Sequence, residues 1–171
     1  MSECPGCRLD LPERAWDNDP RLRASGACRE LYAEVSGYVL AHAALLGPWQ
    51  QTTIDAYAAQ HVAPTTPAIG LAFALNGLYL VLERGFTGFQ VRDAHGYLAN
   101  TADGWPTPHP PPDTGPLTVF DVAMAEDPDQ TAAAIHRWGT SVWQAWRHAH
   151  AEVAAHTDHH LRDWRPVGRA H

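Results

Sequence analysis

The sequence contains no lysine; all twelve basic residues are arginine. Set beside the many Ala, Gly, Pro, Trp and Asp residues, this points to the coding bias of a GC-rich genome rather than a functional choice. Nineteen acidic residues give a formal net charge of −7, which argues against the basic face that nucleic-acid binding needs. Long apolar runs are missing as well. The longest, AIGLAFALNGLYLVL from Ala68 to Leu82, has fifteen residues interrupted by Asn76. That is too short to cross a bilayer and suits a buried core helix, so no membrane association is expected. No basic-then-apolar leader precedes the first cysteine, at position 4, and cytoplasmic residence is the expectation. There is no glycine-rich phosphate loop, no G-x-S-x-G elbow and no His-Glu-x-x-His. Finally, there are three cysteines and no fourth. A closed disulfide framework wants an even number, and a four-cysteine metal site wants one more.

What is present reads as one mainly α domain over residues 1–171, a bundle of about five helices with little strand. Ser25 is the expected N-cap of a first helix, with Leu31, Val35, Val39 and Ala43 at helical spacing until Gly47-Pro48 stops it. A second helix runs through QQTTIDAYAAQH, with Ile54, Tyr57, Ala58 and His61 on one face and Pro64 and Pro67 beyond it. The apolar helix follows, from Ala68 to Glu83, closed by Gly85. Phe89 and Val91 alternate ahead of the turn-like Asp93-Ala94-His95-Gly96, which suggests a short hairpin. Six prolines between Pro106 and Pro116 make 104–116 an extended surface loop. A short helix over Val119–Ala125, capped by Thr118, leads to a long one carrying Ile135, Trp138, Val142, Trp146, Ala149 and Val153. Residues 156–171 form a His-rich tail. Protonating all eleven histidines would move the charge from −7 to +4, so solubility should depend on pH.

The cysteines open a metal question. In CPGC, proline fixes one dihedral and glycine permits the turn that points Cys4 and Cys7 at one centre. Cys28 falls three residues after the Ser25 cap, in a first helical turn whose free N–H groups favour a thiolate. Zinc takes three thiolates and one imidazole when a fourth cysteine is missing. His61, at the inward end of its helix, is the first candidate for that imidazole, and His150 is the second. Plainer readings stand beside this one: an accidental or redox dithiol at Cys4 and Cys7, a buried free thiol at Cys28, a half-buried rim histidine at His61. A redox motif would open a helix after a strand, and no such context surrounds CPGC.

Several stretches taken in order, CPGCRLDLP, GAC followed by RELYAEV, TTIDAYAAQH, LYLVLERG, GPLTVFDV and WGTSVWQAWRHAH, resemble a bacterial family of unknown function. Its members open with CPGCG-x-x-LP and carry matching segments as far as a late VW-x-AW and a histidine pair. The resemblance covers about Cys4 to Val153. It implies that Cys4, Cys7, Cys28 and His61 form a group with Asp55, Tyr57, Gln60 and His150 as further shared positions. It implies no activity. Arg8 stands where the family has glycine, Ala149 where it has the first late histidine, and Ala74 where a histidine is frequent.

Two function classes follow. In the first, a zinc-stabilised enzyme acts on a small organic metabolite in an aromatic and histidine-lined pocket, with Asp55, Tyr57 and His150 as acid/base groups. Trp143, Trp146 and His150 would form one wall, although such a stripe is more often core, and Asp55 is equally explained by its helix dipole. In the second, the zinc is structural and the chain is a non-catalytic binding module whose proline-rich loop and acidic surface meet a protein partner. Either class leaves room for a homodimer. In the tail, His156, His160 and Asp163 have the spacing of a divalent-metal face, with solvated surface as the plainer reading.

Overall fold

Caps written in the sequence set most of the helix starts. In the computed structural model, which describes residues 1–16 and 19–167, Ser25 accepts from the Cys28 N–H and opens α1, Gly26–Ala41. Helix α2 spans Ala43–Gln60, and Pro67 precedes α3, Ala68–Leu82. Thr87 and Gln90 form a capping box for α4, Gly88–Thr101. Thr118 and Asp121 do the same for the short α5, Val119–Ala123. Asp127 caps α6, Pro128–Ala145, with proline in the first turn where its missing N–H costs nothing. A single 3-10 turn, Arg147–Ala149, joins α6 to α7, His150–His160. The strands are two antiparallel pairs of residues, β1 (Ser2–Glu3) and β2 (Asp10–Leu11), which close the base of the cysteine loop. No helix among the described residues is long and apolar enough to cross a membrane. The last four residues of the expected tail, 168–171, lie outside the described residues.

Helix α2 is the hub, packing on α1, α3, α4 and α6. Around it the core gathers Leu75 and Leu78 from α3, Val91 and Leu98 from α4, and Ile135, Trp138 and Val142 from α6. Burying large aromatics with polar edges requires partners for those edges. Each of the three buried tryptophans has one: Trp138 Nε1 donates to Gln60 Oε1 at 3.0 Å, Trp143 Nε1 to Glu83 Oε1 at 2.7 Å, and Trp146 Nε1 to the Ala59 carbonyl at 3.1 Å.

Four local expectations are corrected. The hairpin around Phe89 is instead α4, because Val91, Ala94, His95 and Leu98 recur at helical spacing and bury against the hub. Gly47-Pro48 does not end a helix; the break falls at His42, and both residues lie inside α2. Tertiary contacts hold them there: the Phe89 ring covers Gly47, and Gly88 lets α4 approach the Pro48 carbonyl so closely that a Cβ would sit 2.3 Å from its oxygen. The expected long last helix is broken at Trp146. Ile54 is 41 % exposed, so the buried face of α2 passes through Thr53, Ala56, Tyr57 and Gln60 instead.

Candidate metal centre

The N-terminal loop is shaped by its own backbone. Cys4 N–H donates to Leu9 O and Arg8 N–H to Cys4 O, both at 2.8 Å, which folds CPGC into a knuckle. Arg8 turns the chain with φ +61°, in the left-handed region. Gly6 has no room for a side chain, since a Cβ would lie 2.4 Å from Arg23 O and 2.5 Å from His61 Cδ2. The chain then crosses the end of α2, where Arg23 N–H donates to His61 O at 2.7 Å and Leu22 bridges Val62.

These constraints bring four donor atoms together. One atom each from Cys4, Cys7, Cys28 and His61 lies within 4.8 Å of the others, and all four side chains are buried. Cys7 Sγ and Cys28 Sγ are 3.8 Å apart, and Cys28 Sγ is 3.4 Å from His61 Nε2. Tetrahedral zinc with Zn–S of about 2.3 Å and Zn–N of about 2.0 Å needs edges of about 3.8 Å and about 3.5 Å. The residues therefore fit a divalent metal of that size. A disulfide, with sulfurs about 2.05 Å apart, would need them to move, and all three cysteines are free thiols.

The surrounding groups orient the donors. His61 Nδ1–H donates to the Tyr57 carbonyl at 2.8 Å, which leaves the Nε2 lone pair facing the sulfurs. Ser25 N–H points at Cys4 Sγ from 3.5 Å, and the Tyr57 hydroxyl at Cys28 Sγ from 3.7 Å. Sulfurs this close cannot all ionise unaided. Cys4 is held far below the ordinary thiol range by hydrogen bonds from Cys28 and Cys7. Cys28, hydrogen-bonded with Cys4 and Cys7 and buried, is held far above it. At Cys7 the bond from Cys28 is outweighed by its own bond to Cys4, by burial and by the Cys4 charge, so it is pushed up to about 12. A divalent cation bound among the three sulfurs would favour their thiolate forms.

A strap of irregular chain locks over the knuckle. Thr114 Oγ1 donates to Gly6 O at 3.0 Å and Arg8 Nη2 to Pro112 O at 3.3 Å. Gln60 Nε2 donates to the Thr114 and Leu117 carbonyls at 3.2 and 2.8 Å. Gln60 thus joins α2, α6 and the strap. Its partners Thr114 and Trp138 are 54 and 78 residues away, so neither Gln60 nor Thr114 carries a local sequence signal for that role.

The acid/base candidates sit elsewhere. Asp55 is 2 % exposed and faces α3, with Oδ1 accepting from Gln51 Nε2 at 2.9 Å and Oδ2 against Gly77. Burial lifts its carboxyl well above the usual range, against the pull of the Gln51 bond. Tyr57 stacks on Tyr32 at 3.8 Å and leans on His61 at 4.1 Å, measured between ring centroids. His150 stacks on Trp143 at 3.8 Å and donates from Nε2 to the Trp143 carbonyl at 2.8 Å, apart from the four-ligand group. None of five surface clefts is lined by Asp55, Tyr57 or His150. Trp143 and Trp146 are core residues. In the tail, His156 and His160 approach each other at 4.5 Å, but the nearby carboxylate belongs to Asp103, 3.9 Å from His160 Nε2; Asp163 lies past the end of α7.

Fold and site together define a helical protein with a buried Cys3His group able to hold a metal ion. The chain belongs to the family of unknown function designated DUF5946, whose profile matches residues 2–147. No curated protein and no solved structure matches it.

Proposed function

We propose that Cys4, Cys7, Cys28 and His61 hold one zinc ion as a closed structural site, and that the chain is a zinc-stapled helical binding module rather than a catalyst. The single observation behind this reading is the pair of donor separations, 3.8 and 3.4 Å, which match two edges of one tetrahedron. When bound, the ion would supply the positive charge that lets three neighbouring thiols ionise. Four protein donors leave no position for a substrate or an activated water. The residues themselves do the rest: Cys4 and Cys7 anchor β1 and β2, Cys28 anchors α1, and His61 anchors the end of α2. Residues 1–25 contribute little core of their own, so their order would depend on the ion.

The catalytic reading keeps Asp55, Tyr57 and His150 as acid/base groups for a small metabolite. It is the weaker one, because the first two are almost wholly buried away from any of the five clefts and His150 is engaged with Trp143.

Metal analysis of protein purified without added metal tests the proposal. One zinc per chain is expected, lost in Cys28→Ala and His61→Ala and retained in His150→Ala. Chelation should cost several kcal/mol of stability, on the order of a structural zinc contribution, and expose the amides of residues 1–25 to exchange. Wild-type protein without metal, or zinc retained by His61→Ala, would overturn it.

A further inference from the structure

A cleft of about 620 Å³ lies between the end of α3 and the turn that follows α7, lined by no member of the cysteine group. Its size is within the range that encloses small organic ligands, about 300–1,000 Å³. Leu80, Phe86, Leu161 and Trp164 make an apolar floor, with the Phe86 and Trp164 rings 5.9 Å apart. Three arginines, Arg84, Arg162 and Arg165, stand around it with one acid, Asp158.

That charge is out of keeping with the molecule. The chain as a whole carries −7, yet this lining has an excess of two positive charges. Asp158 accounts for one arginine only. It pairs with Arg84 and accepts from the Tyr79 hydroxyl at 2.9 Å, which fixes the Arg84 guanidinium between α3 and α7. Arg165 Nη1 donates to the carbonyls of Arg162 and Trp164, at 2.9 and 2.7 Å, and so is held over the turn. Among the described residues neither Arg162 nor Arg165 has a carboxylate partner. Guanidinium groups beside an aromatic floor suit one chemistry: a planar or branched apolar body ending in a carboxylate, which takes paired hydrogen bonds from arginine.

We propose that this cleft is a binding site for an organic carboxylate with an apolar, preferably aromatic, body. The body lies over the floor made by Phe86 and Trp164, and the carboxylate meets Arg162 and Arg165. The wall from Asp158 to Pro166 lies beyond residues 2–147, while Leu80, Arg84 and Phe86 belong to the part of the chain matched by the family profile. It is independent of the zinc reading, because it shares no residue with the cysteine group.

Calorimetry with 2-naphthoate, its neutral analogue 2-naphthamide and inorganic phosphate tests it on the full chain. Saturable naphthoate binding is expected, with a Kd on the order of 10⁻⁴ M or tighter for a ligand of this size. The amide should bind at least about tenfold more weakly, since charge-assisted bonds to arginine are lost. Both arginines are exposed, so Arg162→Ala/Arg165→Ala should keep the fold while removing about the same tenfold from naphthoate and little from the amide. Equal binding of acid and amide by the wild-type protein would overturn the carboxylate assignment without recourse to any variant. Phosphate binding as tight as naphthoate would overturn the role of the apolar floor, and no saturable naphthoate binding would overturn the site.

Discussion

Helix α2 carries buried polar side chains at two places, and it treats them in opposite ways. At its end, Gln60 satisfies both of its amide atoms through Trp138, Thr114 and Leu117, and His61 engages both ring nitrogens. Earlier in the same helix, Thr52 Oγ1 and Asp55 Oδ2 have no partner among the described residues, and neither has Asn76 Nδ2 on the facing α3. The first place holds polar atoms by converging them on a centre. The second has no such centre, and burial there lifts its acid well above the usual carboxylate range, against the pull of the Gln51 bond. Convergence, rather than burial or residue type, separates a ligand group from a polar interior. Asp55, which the sequence recommends as strongly as His61, falls on the other side of that line.

The sharpest way to break the comparison is to crowd the second place. A Cβ at Gly77 would lie 1.9 Å from Asp55 Oδ2, so this glycine is required by an approach rather than by its backbone angles. Gly77→Ala should cost about 3–4 kcal/mol, at the upper end of overpacking penalties, because the carboxyl has packed protein on every side. In an Asp55→Ala background the same change should cost less by 1 kcal/mol or more, a coupling that urea denaturation of the four proteins in the cycle would read. Additive losses would mean that the two residues are not packed as described. Zinc content should not change in any of them, because neither residue is one of the four ligands.

Much of this layout is legible in the chain itself. The knuckle, the Cys28 position after Ser25, the inward His61 and the Thr118 cap follow from local rules, and local contacts keep them. Thr87 and Gln90 also carried a capping-box signal, and Val91, Ala94 and Leu98 a helical one, but the alternation of Phe89 with Val91 and the Asp93–Gly96 turn residues obscured both. Phe89 is half-exposed and the Asp93–Gly96 stretch lies mid-helix, so tertiary packing outweighed turn propensity there. The passage of α2 through Gly47-Pro48 had no local signal at all. It depends on Phe89 and Gly88 of an element forty residues on. The strap's clamp through Gln60 is hidden for the same reason.

A second test uses pH, where two groups of the polar interior should act in opposite directions. His95 Nε2 donates to Asn76 Oδ1 at 2.7 Å, and the imidazole is pushed down to about 4, chiefly by burial. Its unfolded counterpart titrates at the ordinary histidine value of 6.5, so the unfolded chain takes up the proton first as pH falls. Stability should therefore be complete above pH 6.5 and decline between 6.5 and about 4, by at most about 3 kcal/mol. Asp55 has the reverse sign. Its folded pKa is raised above the unfolded 3.8, so its contribution is full below that value and is lost as pH rises through the folded one. Asp55→Asn should remove the fall that begins above pH 3.8 and so steepen the acid-side loss due to His95, while His95→Gln should remove that acid-side loss and leave the fall due to Asp55. Thermal melts across pH 4–9 with both variants read the two slopes separately. An Asp55→Asn protein with the wild-type profile would mean that Asp55 ionises in the fold, contrary to the contrast drawn above.

The smallest expected effect belongs to the first place, at Arg8. A non-glycine residue at φ +61° costs about 1 kcal/mol in backbone strain, which Arg8→Gly would relieve. The same change removes the exposed hydrogen bond to Pro112, 3.3 Å long, and frees the unfolded chain at a position that folding must then order. These terms oppose one another at similar size, so the net change in stability should stay within about 1 kcal/mol, and zinc content should not change. Hydrogen exchange at the Thr114 and Gly115 amides distinguishes the contributions. Faster exchange there with unchanged global stability would show that Arg8 holds the strap rather than the knuckle. A loss of zinc would show instead that the arginine helps to shape the ligand loop, and that the convergence at the end of α2 extends one residue beyond Cys7.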